Sequence, residues 1–107
     1  MITSAPQPQV SIIIPAFNEE AVLPTFYDRV AAVVETLPYE FRFVFVDDGS
    51  QDRTGELVAD FHRRDSRVEL ITLSRNFGKE IAMTAGLDES SGDALILIDA
   101  DLQDPQS

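Results

Sequence analysis

Four short apolar segments divide this chain at regular intervals, and their spacing constrains the fold more than any other feature of the sequence. Residues 10–15, 41–46, 68–73 and 94–98 are rich in β-branched, aromatic and aliphatic side chains, as is typical of strands that are covered on both faces. The stretches between them carry apolar residues at helical spacing. This alternation predicts an α/β fold, with a Rossmann-like, doubly wound parallel sheet of four strands in the order 3-2-1-4.

Three helices are predicted between the strands, over residues 23–37, 53–64 and 79–89. Pro38 is expected to end the first helix, and Asp52 to cap the start of the second. The third is expected to bury Ile81 beside a stripe of small residues that allows close approach to a sheet, with Gly92 as its C-terminal cap. The small residues of that stripe are Ala82, Ala85 and Gly86.

Composition limits the class of partner. The 107 residues include 8 Lys and Arg against 19 Asp and Glu, which gives a net charge of −11, and there is no cysteine. Such acidity argues against nucleic acid or an anionic membrane surface as a direct partner, because those ligands require clustered basic residues. No leader pattern and no apolar run near the ~20 residues of a membrane span is evident. We expect a cytoplasmic chain with a loose tail over residues 1–9 and one folded unit over residues 10–107.

Acidic clusters follow three of the four predicted strands. They are Glu19-Glu20 after the first, Asp47-Asp48 after the second, and Asp99 with Asp101 after the fourth. In a parallel sheet the carboxyl ends of the strands meet at one edge, and ligands bind there at the point where the strand order reverses. Asp99 and Asp101, two residues apart, would place both carboxylates on one side if the strand continues. Oxygen ligands of this kind favour Mg²⁺ or Mn²⁺, which would supply the positive charge that a phosphate ligand needs.

Other classes of function compete with this interpretation. None of the five glycines forms the glycine-rich phosphate loop of dinucleotide-binding enzymes or P-loop enzymes. Phosphotransfer domains of the haloacid-dehalogenase or receiver type also gather aspartates at strand ends, and they remain an alternative. A third possibility is a nucleotide- or metal-binding module without catalysis.

Four sequence blocks in order resemble the family 2 glycosyltransferases of GT-A fold, and within them the polyprenyl-phosphate sugar transferases. The blocks are IPAFNEE at 14–20, VDDGSQDRT at 46–54, LSRNFGKE at 73–80 and DADLQDP at 99–105. The resemblance implies inverting transfer of a hexose from a nucleoside-diphosphate sugar, either a UDP- or a GDP-sugar with UDP-glucose favoured, to a polyprenyl phosphate. In that reaction a lipid phosphate oxygen attacks the anomeric carbon.

The resemblance also implies which residues form the site. Asp99, Asp101 and Gln103 would hold Mg²⁺ or Mn²⁺, and Asp48 would accept a hydrogen bond from the nucleobase. The residues implied in binding the nucleotide sugar are Pro15, Ala16, Asn18, Glu19, Asp47, Asp48, Arg75, Lys79, Asp99 and Ala100.

Several of these residues also have a purely structural interpretation. Asp47 can form an Asx turn before Gly49, and Asn18 can cap a helix start that Glu19 favours electrostatically. Lys79 can pair with an acid at the strand edge, and Arg75 can do the same.

The family's catalytic domain is about twice as long as this chain. The resemblance therefore implies that residues 10–107 are the N-terminal, donor-binding part of a truncated catalytic domain, inactive alone. The acceptor-binding half and membrane helices would lie downstream, so that the full-length protein would sit at the cytoplasmic face of the inner or plasma membrane. The fourth strand lies at the edge of the predicted sheet although it is apolar throughout, which predicts self-association of the chain.

Overall fold

A computed structural model describes residues 7–100 and contains four strands and three helices in strict alternation. The strands are β1 (Gln9–Ala16), β2 (Glu40–Asp47), β3 (Val68–Thr72) and β4 (Ala94–Leu97), and the helices are α1 (Leu23–Val34), α2 (Thr54–Arg64) and α3 (Lys79–Asp88). All strand pairs are parallel, and the order across the sheet is β3-β2-β1-β4. The predicted fold class and strand order are confirmed.

The register of the central pair brings the strand ends together. Gln9 lies opposite Glu40 at one end, and Ala16 lies opposite Asp47 at the other. On the far side of β1, Leu97 lies opposite Ile13, and the next N–H along the chain, that of Ile98, donates to the Ile13 carbonyl at 3.0 Å. The residues that follow β1, β2 and β4 are therefore neighbours at the carboxyl edge of the sheet.

Helices α1 and α2 cover one face of the sheet, where aromatic rings dominate the packing. Phe43 and Phe45 of β2 are both 1% exposed. The ring of Phe45 meets that of Phe26 from α1 edge to face, with centroids 6.5 Å apart, and lies 6.0 Å from the ring of Phe61 on α2. The alternating Phe residues of β2 belong to the core, as strand periodicity predicts.

Helix α3 packs on the opposite face at very short range. A β-carbon placed on Gly86 would lie 2.5 Å from Cγ2 of Ile13, so only glycine fits at this approach. Ala82 is fully buried in the same interface. The predicted small-residue stripe is confirmed, but the prediction for Ile81 is wrong because its side chain is 51% exposed. Ile81 lies about 100° around the helix from Ala82, which turns it away from the sheet.

Helix boundaries differ from the sequence predictions in three places. Helix α1 ends at Val34, three residues before the predicted end, and Leu37 is exposed beyond it. The N-cap of α2 is Arg53, while Asp52 instead accepts a hydrogen bond from the Thr54 N–H at 2.9 Å. Helix α3 ends at Asp88 with Glu89 as its C-cap, so Gly92 does not cap it.

A polar network ties α1 to the connection between α2 and β3. The Tyr27 hydroxyl donates to Asp65 at 2.5 Å, and Arg67 donates to the same carboxylate through Nε at 2.9 Å and Nη2 at 2.8 Å. The hydrogen bonds from Arg67, aided by the one from Tyr27, outweigh burial and lower the pKa of Asp65 to about 2. Burial and the hydrogen bond to Asp65 raise the pKa of Tyr27 to about 12. Both shifts favour the state with an ionised Asp65 and a neutral Tyr27.

Strand β4 is the most exposed strand of the sheet. Leu95, Ile96 and Leu97 are 44%, 42% and 48% exposed, and β1 is the neighbour that β4 pairs with among residues 7–100. Within that range, no helix has the length and apolar character that crossing a membrane requires.

Candidate functional site

A cavity of about 240 Å³ opens at the carboxyl edge of the sheet, between the ends of β1 and β2, the residues after β4 and the start of α3. This is the edge at which the sequence predicts a ligand. Its described lining consists of Pro15, Ala16, Phe17, Glu19, Asp48, Asn76, Gly78, Lys79 and Asp99. Three carboxylates and one ammonium group are among these side chains, so the described wall is acidic overall.

Asp48 is the most deeply held carboxylate of the cavity. The residue is 3% exposed, and its side chain accepts hydrogen bonds from the Phe77 N–H at 2.8 Å, the Gly78 N–H at 3.0 Å and Asn76 Nδ2 at 3.0 Å. The same amide group of Asn76 also donates to the Asp48 carbonyl at 3.2 Å. The end of β2 is thereby fastened to the loop that leads into α3.

Gly49 shows how closely this loop lies against the turn after β2. Its φ is +72°, and a β-carbon there would lie 2.2 Å from the carbonyl carbon of Arg75 and 2.4 Å from the nitrogen of Asn76. Both the backbone conformation and the lack of space require glycine. The turn at 47–50 and the loop at 74–78 therefore form one packed unit.

A second loop, after β1, is attached to the segment that follows Gly49. The Asn18 N–H donates to Ser50 Oγ at 2.9 Å, and Asn18 Oδ1 accepts from the Gln51 N–H at 2.9 Å. The Glu19 N–H donates to Thr54 Oγ1 at 2.8 Å. Asn18 has a φ of 52° and lies four residues before the N-cap Val22 of α1, so its alternative interpretation as a helix cap is wrong.

Asp52 completes the attachment of the loop after β1. Its carboxylate accepts from the Glu20 N–H at 3.2 Å, in addition to the Thr54 N–H. Burial on its own would raise the pKa of Asp52, but the hydrogen bonds from Thr54 and Glu20 outweigh it and lower that pKa. The segment after β2 thus positions both loops that border the cavity.

Four of the predicted binding residues lie outside the described lining of the cavity: Asn18, Asp47, Arg75 and Ala100. Asp47 is buried and accepts from the Ser50 N–H at 2.9 Å, which matches its interpretation as a turn residue. Ala100 is fully buried within the core on the α1 and α2 side. The Arg75 guanidinium lies over the Phe77 ring, 4.2 Å from its centroid.

Lys79 and Asp99 form an ion pair in the lining of the cavity. The Lys79 Nζ donates to Asp99 Oδ2 at 2.7 Å, with side chains 57% and 49% exposed. The pairing considered for Lys79 from the sequence is present. Asp99 is thus accessible from the cavity and already accommodates a cationic group beside its oxygen.

The predicted metal ligands are only partly within the described residues. Asp99 lines the cavity, whereas Asp101 and Gln103 lie outside residues 7–100. Within that range no group of three or more His, Cys, Asp or Glu side chains is arranged to hold a metal ion.

Three lining residues were not predicted from the sequence: Phe17, Asn76 and Gly78. Phe17 is 42% exposed directly after β1, where an aromatic residue at a strand end is a detectable signal. Asn76 and Gly78 border the cavity in a loop that donates hydrogen bonds to Asp48, and no spacing in the sequence indicates that contact.

A parallel four-stranded sheet in the order β3-β2-β1-β4, alternating with helices and with an acidic cavity at its carboxyl edge, makes this an α/β domain of Rossmann-like topology. Residues 11–107 match the sequence profile of glycosyl transferase family 2. The chain belongs to glycosyl transferase family 2. This membership sets aside the phosphotransfer alternative.

Curated relatives share nearly half of the chain's residues. A bactoprenol glucosyl transferase of Shigella phage SfV is 47% identical over 91% of this chain and 32% of its own length. An undecaprenyl-phosphate 4-deoxy-4-formamido-L-arabinose transferase of Pseudomonas paraeruginosa is 45% identical over 90% of this chain and 29% of its own. The chain thus spans about a third of the length of the relatives it matches.

Solved structures share the fold. A mannosyltransferase of Pyrobaculum calidifontis, solved with GDP-mannose and Mn²⁺, has a TM-score of 0.74 and 24% identity over 92% of this chain and 29% of its own. TarS of Staphylococcus aureus, solved with UDP-GlcNAc, has a TM-score of 0.73 and 24% identity over 87% of this chain and 26% of its own. These likenesses establish the GT-A fold.

Proposed function

We propose that this chain binds the nucleoside diphosphate of a sugar donor in the cavity at the carboxyl edge of the sheet, together with Mg²⁺ or Mn²⁺. The observation that carries the proposal is the placement of Glu19, Asp48 and Asp99 around one cavity beside Lys79. Carboxylate oxygens gathered at one opening are the ligands that Mg²⁺ and Mn²⁺ prefer, and such an ion supplies the positive charge that a diphosphate needs beside acidic groups.

The two sides of the cavity suit different parts of the donor. Phe17, 42% exposed directly after β1, offers apolar surface against which a nucleobase can stack. Pro15 of β1 and the acceptor oxygens of Asp48 line the same cavity. Lys79 and Asp99 lie together at the other wall, where the charged diphosphate belongs. Uracil is the base we favour, as in the UDP-GlcNAc complex of TarS.

Asp99 fits a role as a metal ligand. Its carboxylate is half-exposed in the cavity, and oxygen donors are those that Mg²⁺ and Mn²⁺ prefer. We extend the ligand set to Asp101 and Gln103 from the sequence pattern. When bound, such an ion neutralises negative charge on the departing nucleoside diphosphate. Lys79 adds a second positive group at the same place.

The acceptor and the complete reaction belong to the full-length protein. The relatives are named for bactoprenol and undecaprenyl phosphate, and we infer that the parent protein transfers a hexose, with inversion, to a polyprenyl phosphate at the cytoplasmic face of a membrane. Because the chain spans about a third of those relatives, we infer that residues 10–107 bind the donor without completing the transfer.

A transfer assay on the full-length protein tests this function. Membranes that contain it are incubated with radiolabelled UDP-glucose and undecaprenyl phosphate, with Mg²⁺ or with EDTA. We expect labelled lipid only with the metal, and a loss of at least about a hundredfold in Asp99→Asn. Asp88→Asn, at the exposed end of α3, is the charge-matched control and should retain full activity. Equal transfer in EDTA, or by Asp99→Asn, would contradict the proposal.

A further inference from the structure

The buried carboxylate of Asp48 does more than line the cavity, because it also holds the loop from which Lys79 extends. We propose that Asp48 is a positioning residue for Lys79, which sets where the Lys79 ammonium group lies for a bound diphosphate. The inference rests on the proposed function, since it concerns how the same cavity holds the charged part of its ligand.

The hydrogen bonds of Asp48 converge on three consecutive residues. A carboxylate has about four acceptor positions, and the Asn76 side chain and the N–H groups of Phe77 and Gly78 use three of them. Bonds from a charged acceptor to backbone N–H groups are about twice as strong as neutral ones. With the residue 3% exposed, water competes little for them. The loop therefore has one strongly preferred position.

Gly78 transmits this position to helix α3. Its N–H donates to Asp48, and its carbonyl accepts the Ala82 N–H at 3.0 Å, one of the bonds that start the helix. Lys79 is the next residue and the first of α3. From there its Nζ reaches Asp99 at 2.7 Å. A continuous path of short contacts thus connects the end of β2, through the start of α3, to the residue that follows β4.

This path requires a carboxylate at position 48. In Asp48→Asn the side chain keeps its shape, but one acceptor oxygen becomes an NH₂ donor that faces another donor. At least one of the bonds to Asn76, Phe77 and Gly78 is then lost. The start of α3 is released from its fixed position, and Lys79 with it. A residue that merely contacted the nucleobase would have no such effect.

Pyrophosphate separates the two roles, because it has no base. Binding of Mg²⁺–pyrophosphate and Mg²⁺–UDP to this chain is measured by calorimetry, and amide hydrogen exchange of Phe77 and Gly78 by NMR. We expect Asp48→Asn to weaken both ligands by about tenfold and to accelerate the exchange by at least about tenfold. Asn76→Ala, which removes one donor and spares the carboxylate, should act in the same direction to a smaller extent. If Asp48→Asn does not fold, Asn76→Ala provides the test in its place.

Two further variants test whether Asp48 positions Lys79 or Lys79 positions the loop. Lys79→Gln should weaken pyrophosphate binding as much as Asp48→Asn does, but leave the exchange of Phe77 and Gly78 unchanged. Asp88→Asn should change neither. The proposal is overturned if Asp48→Asn weakens UDP but not pyrophosphate, or if it leaves the exchange of the two amides as in the wild type.

Failure of the proposed function has a different signature. A wild-type chain that binds neither UDP nor pyrophosphate contradicts the donor site alone. The positioning role is then decided by the NMR resonances of the Lys79 ε-methylene group. We expect Asp48→Asn to shift these resonances and Asp88→Asn to leave them unchanged. Unshifted resonances in Asp48→Asn would overturn the inference.

Discussion

Replacing Asp65 with asparagine is the sharpest test of how this small sheet is stabilised. The Asp65 side chain is 11% exposed and bonds to Arg67 and Tyr27. Its pKa falls from the ordinary 3.8 to about 2, and each tenfold change in acidity corresponds to about 1.4 kcal/mol. The network therefore favours the ionised carboxylate by about 2 kcal/mol. We expect Asp65→Asn to lower the free energy of unfolding by about that amount at neutral pH.

The contribution of Asp65 to the free energy of unfolding depends on pH. Because the folded-state pKa of Asp65 is depressed, its contribution is complete above about pH 4 and is lost as the pH falls through about 2. Urea denaturation of both proteins, at about pH 7 and about pH 2.5, should show a gap that narrows on acidification. Asp60→Asn, which breaks the exposed ion pair of Asp60 with Arg63, should cost less than about 0.5 kcal/mol. Equal losses of stability in the two variants, or a stability difference between wild type and Asp65→Asn that does not change with pH, would show that the ionised Asp65 does not stabilise the fold.

Two other predictions follow from the packing of the sheet and its loops. Gly49→Ala should destabilise the chain by at least about 2 kcal/mol more than Gly78→Ala in urea denaturation. Both glycines have positive φ, but only at Gly49 does a β-carbon meet backbone atoms, whereas nothing lies within 4 Å at Gly78; equal losses would show that the tight contact is unimportant. The wild-type chain should self-associate through β4, and Ile96→Lys should reduce its mass in light scattering to that of a monomer. A monomeric wild-type chain at high concentration would contradict the second prediction.

The sequence was sufficient to predict the sheet, because local and global signals agree there. The β-branched and aromatic runs can only be buried if helices cover both faces, and the crossover rule then leaves few strand orders. The small residues Ala82 and Gly86 likewise predicted close packing of α3. Ile81 was misplaced because an apolar residue next to a buried stripe is ambiguous in a helix of ten residues. Which face of α3 is buried depends on how the helix packs against the sheet, and the helix sequence alone does not determine that.

The location of the candidate site could be predicted from the sequence, but the hydrogen bonds between its loops could not. The acidic residues after the predicted strands indicated the carboxyl edge of the sheet as the site. Glu19, Asp48 and Asp99 do line one cavity there. The hydrogen bonds from Asn76 and Gly78 to Asp48 join residues about thirty positions apart. Such contacts depend on how two loops dock, and no periodicity or turn rule encodes them. Asn18 and Asp47 were assigned to binding from the family resemblance, which does not show that their described contacts hold loops together.

Metal-dependent binding of UDP to this chain is the measurement that decides whether the cavity is a donor site. Calorimetry is run with Mg²⁺, with Mn²⁺ and with EDTA, on the wild type, on Asp99→Asn combined with Asp101→Asn, and on Asp88→Asn. We predict that UDP binds to the wild type and to Asp88→Asn only when a divalent cation is present. EDTA or the double substitution should weaken binding by at least about tenfold. Equal affinity for UDP under all of these conditions would contradict the account of the cavity as a metal-assisted donor site.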